Sequence, residues 1–229
     1  MRLNTWGKRL IAASPVALLL IVLACAAWAL ALQWRPTDKY SIQGVDVSDA
    51  QGEIEWWSVH GAGADFAYVR ATSGAAGRDM RFAANWDAVP KTGMRRGAMH
   101  RYSLCHLAVD QANNFNTTVP RTPDALPAAV DLDFTDDCTA RPDAPAVIAE
   151  LRRFLTMVEA YTGKPVLLKV SRSFDSAYGV TAAFDRPVWA TGNFFPPDYA
   201  ARPWRMWQAS DMRRIDGIEG PVNWDVVRP

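Results

Sequence analysis

Apolar and polar residues follow two different spacings along the chain, and stretches with each spacing alternate. A spacing of two is typical of β-strands, and a spacing of three to four is typical of helices. The first predicts strands over residues 43–48, 66–72, 95–102, 128–134 and 165–171, and the second predicts helices over residues 53–59, 82–89, 109–119 and 144–161. Short strand-like segments follow at residues 188–191, 203–209 and 221–227, separated by Pro and Gly with little room for helices.

Strands that alternate with helices predict an α/β fold with a mainly parallel sheet or a TIM-like barrel. In a parallel barrel, functional residues gather where the strands end and the following loops begin. Polar residues lie at these predicted ends: Asp46 in the first strand, His100 and Tyr102 in the third, Asp131 and Asp133 in the fourth, and Asn223 and Asp225 in the last. We expect them to share one rim of the barrel.

The fourth predicted strand carries two acidic residues on one face. Apolar and polar residues alternate strictly over residues 129–134, which places Asp131 and Asp133 side by side. Neighbouring carboxylates repel each other and are costly to bury, so the pair indicates proton donation, charge stabilisation in a transition state, or metal binding. The alternative is an edge strand whose carboxylates face solvent.

The N-terminal part of the chain has a different character. Three basic residues within the first nine precede a 23-residue apolar run over residues 10–32. Such a run predicts an export or anchor segment, and its basic flank predicts that everything after it crosses the membrane. We therefore expect a signal anchor or signal peptide over residues 1–33, a linker over residues 34–41, and one globular domain over residues 42–229.

The fate of the N-terminal segment has three interpretations. The apolar run is longer than an ordinary signal-peptide core and ends without a clear small-x-small site, which favours an uncleaved anchor. Cleavage near Ala29 or Ala31 is the second interpretation. Lipoprotein-type processing at Cys25 is the third, although the apolar run continues past this residue.

Charge and cysteine content limit the functions and the bonding expected of the exported part. Without the first 40 residues the chain has 20 basic and 23 acidic residues, a net charge of −3, which does not indicate a nucleic-acid surface. Only Cys105 and Cys138 remain, and an even pair in an exported domain suggests a disulfide between two adjacent loops. Two separate buried thiols are the alternative.

Several segments together resemble a known family, and they occur in the family's order over about residues 42–228. They are residues 44–48 (GVDVS), 65–74 (DFAYVRATSG), 97–102 (GAMHRY), 111–115 (QANNF), 131–133 (DLD), 207–208 (WQ) and 217–223 (GIEGPVN). The chain resembles the family 25 glycoside hydrolases, the Chalaropsis-type lysozymes.

This resemblance implies a fold, an activity and a set of roles. It implies an irregular barrel of five β/α units and three further strands that cleaves the β-1,4 bond between N-acetylmuramic acid and N-acetylglucosamine in peptidoglycan, without a cofactor. Such an enzyme would act in the bacterial cell envelope, exported and held in the inner membrane facing the periplasm, or secreted after cleavage.

The resemblance also implies roles for individual residues. We expect Asp133 to hold the transferred proton in a dry barrel mouth while Asp131 stays ionised, with Asp46 and Asn223 holding substrate and water. The expected sugar contacts are His100, Tyr102, Trp207, Gln208 and Asp225, with Trp207 and Trp224 as stacking platforms.

The chain departs from the family pattern at several of these positions. Asp133 stands where the family has Glu, and Asn223 and Asp225 stand in the reverse of the family's Asp and Asn. Arg70, Ser73, Arg101 and Lys169 replace the usual Lys, Glu, aromatic residue and Tyr in their regions.

These departures keep two alternatives open. The first is a non-catalytic protein that binds peptidoglycan glycan strands. The second is a hydrolase in which Asp46, Asp131 and Asp133 bind Mg²⁺ or Mn²⁺ through oxygen.

Overall fold

The computed structural model describes residues 5–36 and 39–229. Arg2 of the predicted basic flank and two residues of the predicted linker, 37 and 38, lie outside the described residues. The chain divides into two compact units, and the division falls between Trp34 and Arg35.

The first unit is a single helix, α1 (Thr5–Gln33). Its segment Pro15–Gln33 is long and apolar enough to cross a membrane, and none of this segment is buried. An exposed apolar helix close to the N-terminus is also what a signal sequence forms, so this helix is consistent with both an anchor and a cleaved signal.

The second unit is built on a closed barrel of eight strands, as the sequence predicted. In order around the barrel they are β1 (Gln43–Val47), β2 (Phe66–Ser73), β4 (Arg95–Arg101), β5 (Ala129–Leu132), β6 (Leu167–Val170), β7 (Val188–Thr191), β8 (Met206–Arg213) and β9 (Val222–Val227). Neighbours from β1 to β8 pair in parallel, whereas β9 pairs antiparallel with both β8 and β1 and so closes the ring. A two-residue strand, β3 (Gly77–Arg78), adds to β2 alone.

Helices cover the outside of the barrel: α2 (Trp56–Gly61), α3 (Phe82–Ala88), α4 (Ala108–Thr118), α5 (Ala144–Thr162), α6 (Arg172–Tyr178) and α7 (Val180–Ala183). The longest of these, α5, begins where Asp143 accepts a hydrogen bond from the Ala146 backbone N–H, and ends at Gly163 with φ 71°. The sequence did not predict α6 or α7; α7 has only four residues, whereas α6 is as long as α3, which was predicted.

The barrel interior has two layers of different polarity. Its lower layer is an apolar cluster that includes Phe66, Tyr68, Met99, Trp189 and Met206. Gly97 makes room for one of these rings, since a Cβ there would lie 2.4 Å from Cε1 of Tyr68. Because this apolar layer fills the floor, the inward polar side chains gather above it, at the carboxyl ends of the parallel strands.

A disulfide joins Cys105 to Cys138, with their Cα atoms 5.8 Å apart. This confirms the predicted pairing over the alternative of two separate thiols. The bridge ties the loop after β4 to the loop after β5, and so holds together two segments of the rim where the candidate site lies.

Candidate active site

A polar cavity of about 320 Å³ opens at the carboxyl ends of the parallel strands. Its walls include Asp131, Asp133, Lys169, Gln208, Asp211 and Asn223. Four residues of the predicted site therefore lie together in this cavity: Asp131, Asp133, Gln208 and Asn223. The strand β5, which carries Asp131 and ends directly before Asp133, lies between β4 and β6, so the interpretation as an edge strand is wrong.

Asp46 lies at the bottom of this site and is buried. One of its oxygens, Oδ2, accepts a hydrogen bond from Nζ of Lys169 at 2.7 Å, and the other, Oδ1, accepts one from Nδ2 of Asn223 at 2.9 Å. Both oxygens are thus satisfied from opposite sides by β6 and β9.

Asp225 lies one layer below Asn223, because β9 runs antiparallel to β1 and pairs Asn223 with Asp46 and Asp225 with Gly44. It is fully buried and accepts a hydrogen bond from Nε1 of Trp189 at 3.1 Å, while its Oδ2 accepts none. Burial and the negative charge of Asp46 raise the pKa of Asp225 well above its ordinary value. Asp225 therefore resists ionisation more strongly than an exposed carboxyl group does.

Lys169 supplies the positive charge of the cluster. Burial alone would lower its pKa, but Asp46, Asp131 and Asp225 together raise it, so the ammonium stays charged. Its Nζ also lies 4.7 Å from the centre of the Trp189 ring. One ammonium therefore stands among three carboxyl groups, which explains how a barrel interior accommodates them.

The two carboxyl groups of the acidic pair have different environments. Burial raises the pKa of Asp131, and the positive charges of Lys169 and Arg101 partly offset this effect. Asp133 is exposed, and its Oδ1 accepts hydrogen bonds from Oγ of Ser171 at 2.7 Å and from the Phe134 backbone N–H at 2.8 Å. The expected dry surroundings of Asp133 are wrong for this structure, because β5 ends at Leu132 and leaves Asp133 at the open edge of the cavity.

His100 and Tyr102 share one face of β4, but it is the face that points away from the cavity. His100 is fully buried, and its ring nitrogens contact Oγ1 of Thr72 at 2.7 Å and Oε1 of Gln111 at 3.2 Å. Tyr102 packs edge to face on Phe154 of α5, 5.6 Å between ring centres. The expectation that His100 and Tyr102 line the acidic cavity is therefore wrong, because both pack between the barrel and its helices.

The two tryptophans expected as stacking platforms also point outward. Trp207 packs against Tyr40 and Trp204 and donates a hydrogen bond to the Gly192 carbonyl. Trp224 stacks on Arg213, 3.7 Å from ring centre to guanidinium carbon, and donates to Oε1 of Gln43 at 2.7 Å. Both are nearly or fully buried, so neither offers a ring to a sugar in this structure.

Sequence reasoning missed several residues of the site. Lys169 is the main one, and its signal was a single charge within the otherwise apolar strand of residues 166–170, which demands a buried partner. Ser171, which holds Asp133, and Asn193, which donates to Asp211 at 2.8 Å, carry no signal that separates them from ordinary loop residues.

The exposed ring of Phe195 is a further missed feature of the rim. It belongs to the loop after β7, whose first residues form part of the cavity wall, and its side chain is 80% exposed. The preceding residue, Phe194, has φ 68°, a conformation that costs a non-glycine residue about 1–3 kcal/mol, and its N–H is bonded to the Ala209 carbonyl at 2.9 Å. The loop is thus held in a strained form that presents Phe195 to solvent beside the cavity.

The geometry does not favour a metal site at the acidic residues. Among the described residues, no group of three or more His, Cys, Asp or Glu side chains is placed to hold an ion. Lys169 and Asn223 already occupy the oxygens of Asp46, so Asp46, Asp131 and Asp133 do not converge as a set of free oxygen ligands.

Comparison with known proteins gives consistent results. The sequence model of the family described as "Glycosyl hydrolases family 25" matches residues 45–218. The chain is 32% identical over 198 residues to YegX of Escherichia coli K12, called an uncharacterized protein, covering 82% of this chain and 70% of YegX. It is 30% identical over 203 residues to Lysozyme M1 of Streptomyces globisporus, covering 82% of this chain and 68% of that protein. The solved structure of a family 25 glycosyl hydrolase from Bacillus anthracis superposes with a TM-score of 0.80 at 29% identity, covering 86% of this chain and 93% of that one.

Proposed function

The chain belongs to glycosyl hydrolase family 25, and we propose that it is a muramidase that hydrolyses the β-1,4 bond between N-acetylmuramic acid and N-acetylglucosamine in peptidoglycan. The observation that carries the proposal is the polar cavity at the barrel mouth, into which Asp131 and Asp133 both project from one strand end. Two carboxyl groups beside one cleft are what glycosidic bond cleavage requires.

In this proposal Asp133 protonates the leaving glycosidic oxygen. Its position at the open edge lets it reach a glycan that lies across the mouth, and the bound glycan would exclude water from it. Ser171 and the Phe134 N–H fix the orientation of the carboxyl group. Both hydrogen bonds are accepted by Oδ1, which leaves Oδ2 to act on the substrate.

Asp131 would act on the sugar ring from below. As a carboxylate beside Lys169 and Arg101, it would stabilise the developing positive charge of the oxocarbenium-like centre or orient the 2-acetamido group of the substrate for internal attack. Asp46 and Asn223, which are hydrogen-bonded to each other, would hold substrate and water at the cavity floor, with Gln208 on the neighbouring strand β8.

The test is product analysis on purified peptidoglycan with the full-length protein. A muramidase releases muropeptides with N-acetylmuramic acid at the new reducing end, which mass spectrometry after borohydride reduction identifies. Asp133→Asn is expected to abolish this release, and Asp198→Asn, on the exposed surface, is the matched control that retains it. Reducing ends of N-acetylglucosamine, or full activity of Asp133→Asn, would contradict the proposal.

A second candidate function rests on one observation, the shorter Asp133 where the family has Glu. A catalytically weakened member would act as a peptidoglycan-binding protein. It would sediment with insoluble peptidoglycan and release no reducing ends, and the Asp133→Glu variant would also release none.

We also propose that α1 places the barrel at the bacterial cell envelope. An uncleaved helix would anchor the barrel at the outer face of the inner membrane, after the short linker at residues 34–41, whereas cleavage would release it. N-terminal sequencing of the protein recovered from membrane and soluble fractions distinguishes the two outcomes.

A further inference from the structure

A second cavity, of about 240 Å³, lies at the same rim of the barrel. Three segments enclose it: the turn between β2 and β3 at residues 73–77, the loop after β4, and the loop after β5. The disulfide between Cys105 and Cys138 joins the second and third of these segments. The cavity is therefore a fixed part of the rim rather than a gap between independent loops.

Arg101 forms one wall of this second cavity, and its positive charge acts at a distance on the carboxyl groups of Asp131 and Asp137. Within residues 5–36 and 39–229 its guanidinium makes no hydrogen bond or ion pair, and its Nε is buried without an acceptor. By contrast, Arg70 on the neighbouring strand is bonded to Asp49 at 2.6 Å and Asp79 at 3.3 Å. A partly buried guanidinium without an acceptor destabilises the free protein, so an anionic ligand that supplies one would bind there favourably.

The position of Arg101 links this cavity to the candidate active site. Arg101 pairs with Asp131 in the sheet, and the next residue, Tyr102, donates its backbone N–H to the Asp131 carbonyl at 3.0 Å. A sugar that contacts Asp131 would therefore lie close to Arg101, and a substituent that projects from it toward β4 would point at the second cavity.

The walls of the cavity leave room for such a substituent. The turn contributes only small side chains at residues 74–77, in the sequence Gly-Ala-Ala-Gly. Ser103 and His106 add hydrogen-bonding groups, and Asp137, the acidic residue of the wall, is fully exposed, so water screens its charge more than that of Arg101.

From these observations, and resting on the proposed function, we propose that the Arg101 cavity binds a carboxylate carried by the N-acetylmuramic acid residue. This sugar differs from N-acetylglucosamine by a lactyl group, and the stem peptide is attached to that group. The lactyl group carries a free carboxylate where no peptide is attached, and the stem peptide carries carboxylates of its own. A guanidinium binds either through two parallel hydrogen bonds. The cavity would then distinguish peptidoglycan from uncharged glycans such as chitin.

The test measures binding without hydrolysis, using three ligands that lack the bond the enzyme would cut. They are N-acetylmuramic acid with a free lactyl carboxylate, N-acetylmuramoyl-L-alanyl-D-isoglutamine with a carboxylate only in its peptide, and diacetylchitobiose with neither. Titrations followed by NMR on the full-length protein in detergent give the three dissociation constants. At least one acidic ligand is expected to bind 10-fold or more tightly than diacetylchitobiose, and which one does so identifies the source of the carboxylate.

Variants of Arg101 complete the test. Arg101→Gln is expected to bind all three ligands equally, Arg101→Lys to keep part of the preference, and Arg153→Gln, on the exposed surface of α5, to keep all of it. Equal binding of the three ligands by the unmodified protein, or an unchanged preference in Arg101→Gln, would overturn the inference. A preserved preference in a protein that releases no muropeptides would support this cavity and contradict only the muramidase proposal.

Discussion

Nζ of Lys169 lies 2.7 Å from Oδ2 of Asp46, and the two side chains are 4% and 5% exposed. The pair joins β6 to β1 across the interior of the barrel, between residues 123 positions apart in the chain. It has two consequences: it holds distant strands together, and it sets the charge of the floor of the proposed active site.

Lys169→Met is expected to lower the free energy of unfolding by about 3–5 kcal/mol, because it leaves the buried Asp46 carboxylate without a counter-ion. The pKa of Lys169 is raised, with burial opposed by the stronger effect of Asp46, Asp131 and Asp225. A raised pKa means that this stabilisation is complete below pH 10.5 and is lost as the pH rises further. Urea unfolding at pH 7 and pH 11 measures both effects.

The matched control for Lys169 is Arg172→Met, which breaks the pair between Arg172 and Asp198 on the surface. Solvent screens this pair, so no measurable change is expected. If Lys169→Met were as stable as the control, the buried pair would not have the role assigned to it.

Asp133→Glu is expected to raise kcat on peptidoglycan by about 10- to 100-fold. One additional methylene extends the reach of the carboxyl group by about 1.5 Å, and a misplacement of about 1 Å in a catalytic group costs on the order of 100-fold. Release of reducing ends under saturating substrate measures kcat. A decrease would show instead that the contact between Asp133 and Ser171 already gives the best position.

Replacing both Cys105 and Cys138 by Ser is expected to cost about 3–4 kcal/mol in the free energy of unfolding, because their bridge closes a loop with a sequence separation of 33 residues. Thermal unfolding with and without dithiothreitol measures the effect. Reductant should destabilise the unmodified protein to the same extent and leave the double variant unchanged. Cys25→Ser, which removes the unbridged cysteine of α1, is the control that should retain full sensitivity to reductant.

His100→Met is expected to destabilise the protein more at pH 7.5 than at pH 4.5. Burial lowers the pKa of His100 to about 4, so the native state excludes a proton that the unfolded state binds below pH 6.5. The histidine therefore opposes folding increasingly as the pH falls toward 4, and its removal relieves this penalty, by about 2.5 kcal/mol between the two pH values. Equal effects of His100→Met at both pH values would show that His100 binds a proton in the folded protein.

Phe195→Ala is expected to raise KM for peptidoglycan about 5-fold or more and to leave kcat nearly unchanged. The exposed ring beside the cavity is available to stack on a sugar, and such a contact is made equally in the ground state and the transition state. Leu107→Ala removes a comparably exposed apolar side chain from the loop before α4, and should change neither constant. A fall in kcat alone would contradict a role in binding.

The sequence predicted the barrel well because most of its strands and longer helices show a clear period and follow each other in order. Positions within strands were harder, since both faces of a barrel strand are buried, one against the interior and one against the helices. Met99 and Arg101 face inward, so His100 and Tyr102 face the helices, and the same alternation places Gln208 inward and Trp207 outward. Burial alone cannot tell these two faces apart in a sequence.

The acidic pair was predictable because carboxylates are rare in a buried strand, and the same reasoning applies to Lys169. Its role escaped prediction because its partners, Asp46 on β1 and Asp225 on β9, are distant in sequence. Only the closed ring of strands brings these groups together. A contact that forms only when the barrel closes leaves no pattern in the local sequence around either residue.

The reversed order of Asn223 and Asp225 along β9 changes what an approaching polymer meets. The amide faces the opening, and the carboxyl group sits beneath it against Trp189, out of reach of the solvent. The entrance thereby loses one negative charge relative to the family pattern, while the interior gains a buried carboxyl group whose pKa is raised. The exchange therefore weakens the long-range repulsion between the cavity entrance and a polyanionic cell-wall strand. It does so while the carboxyl group is kept inside the barrel, one layer below the entrance.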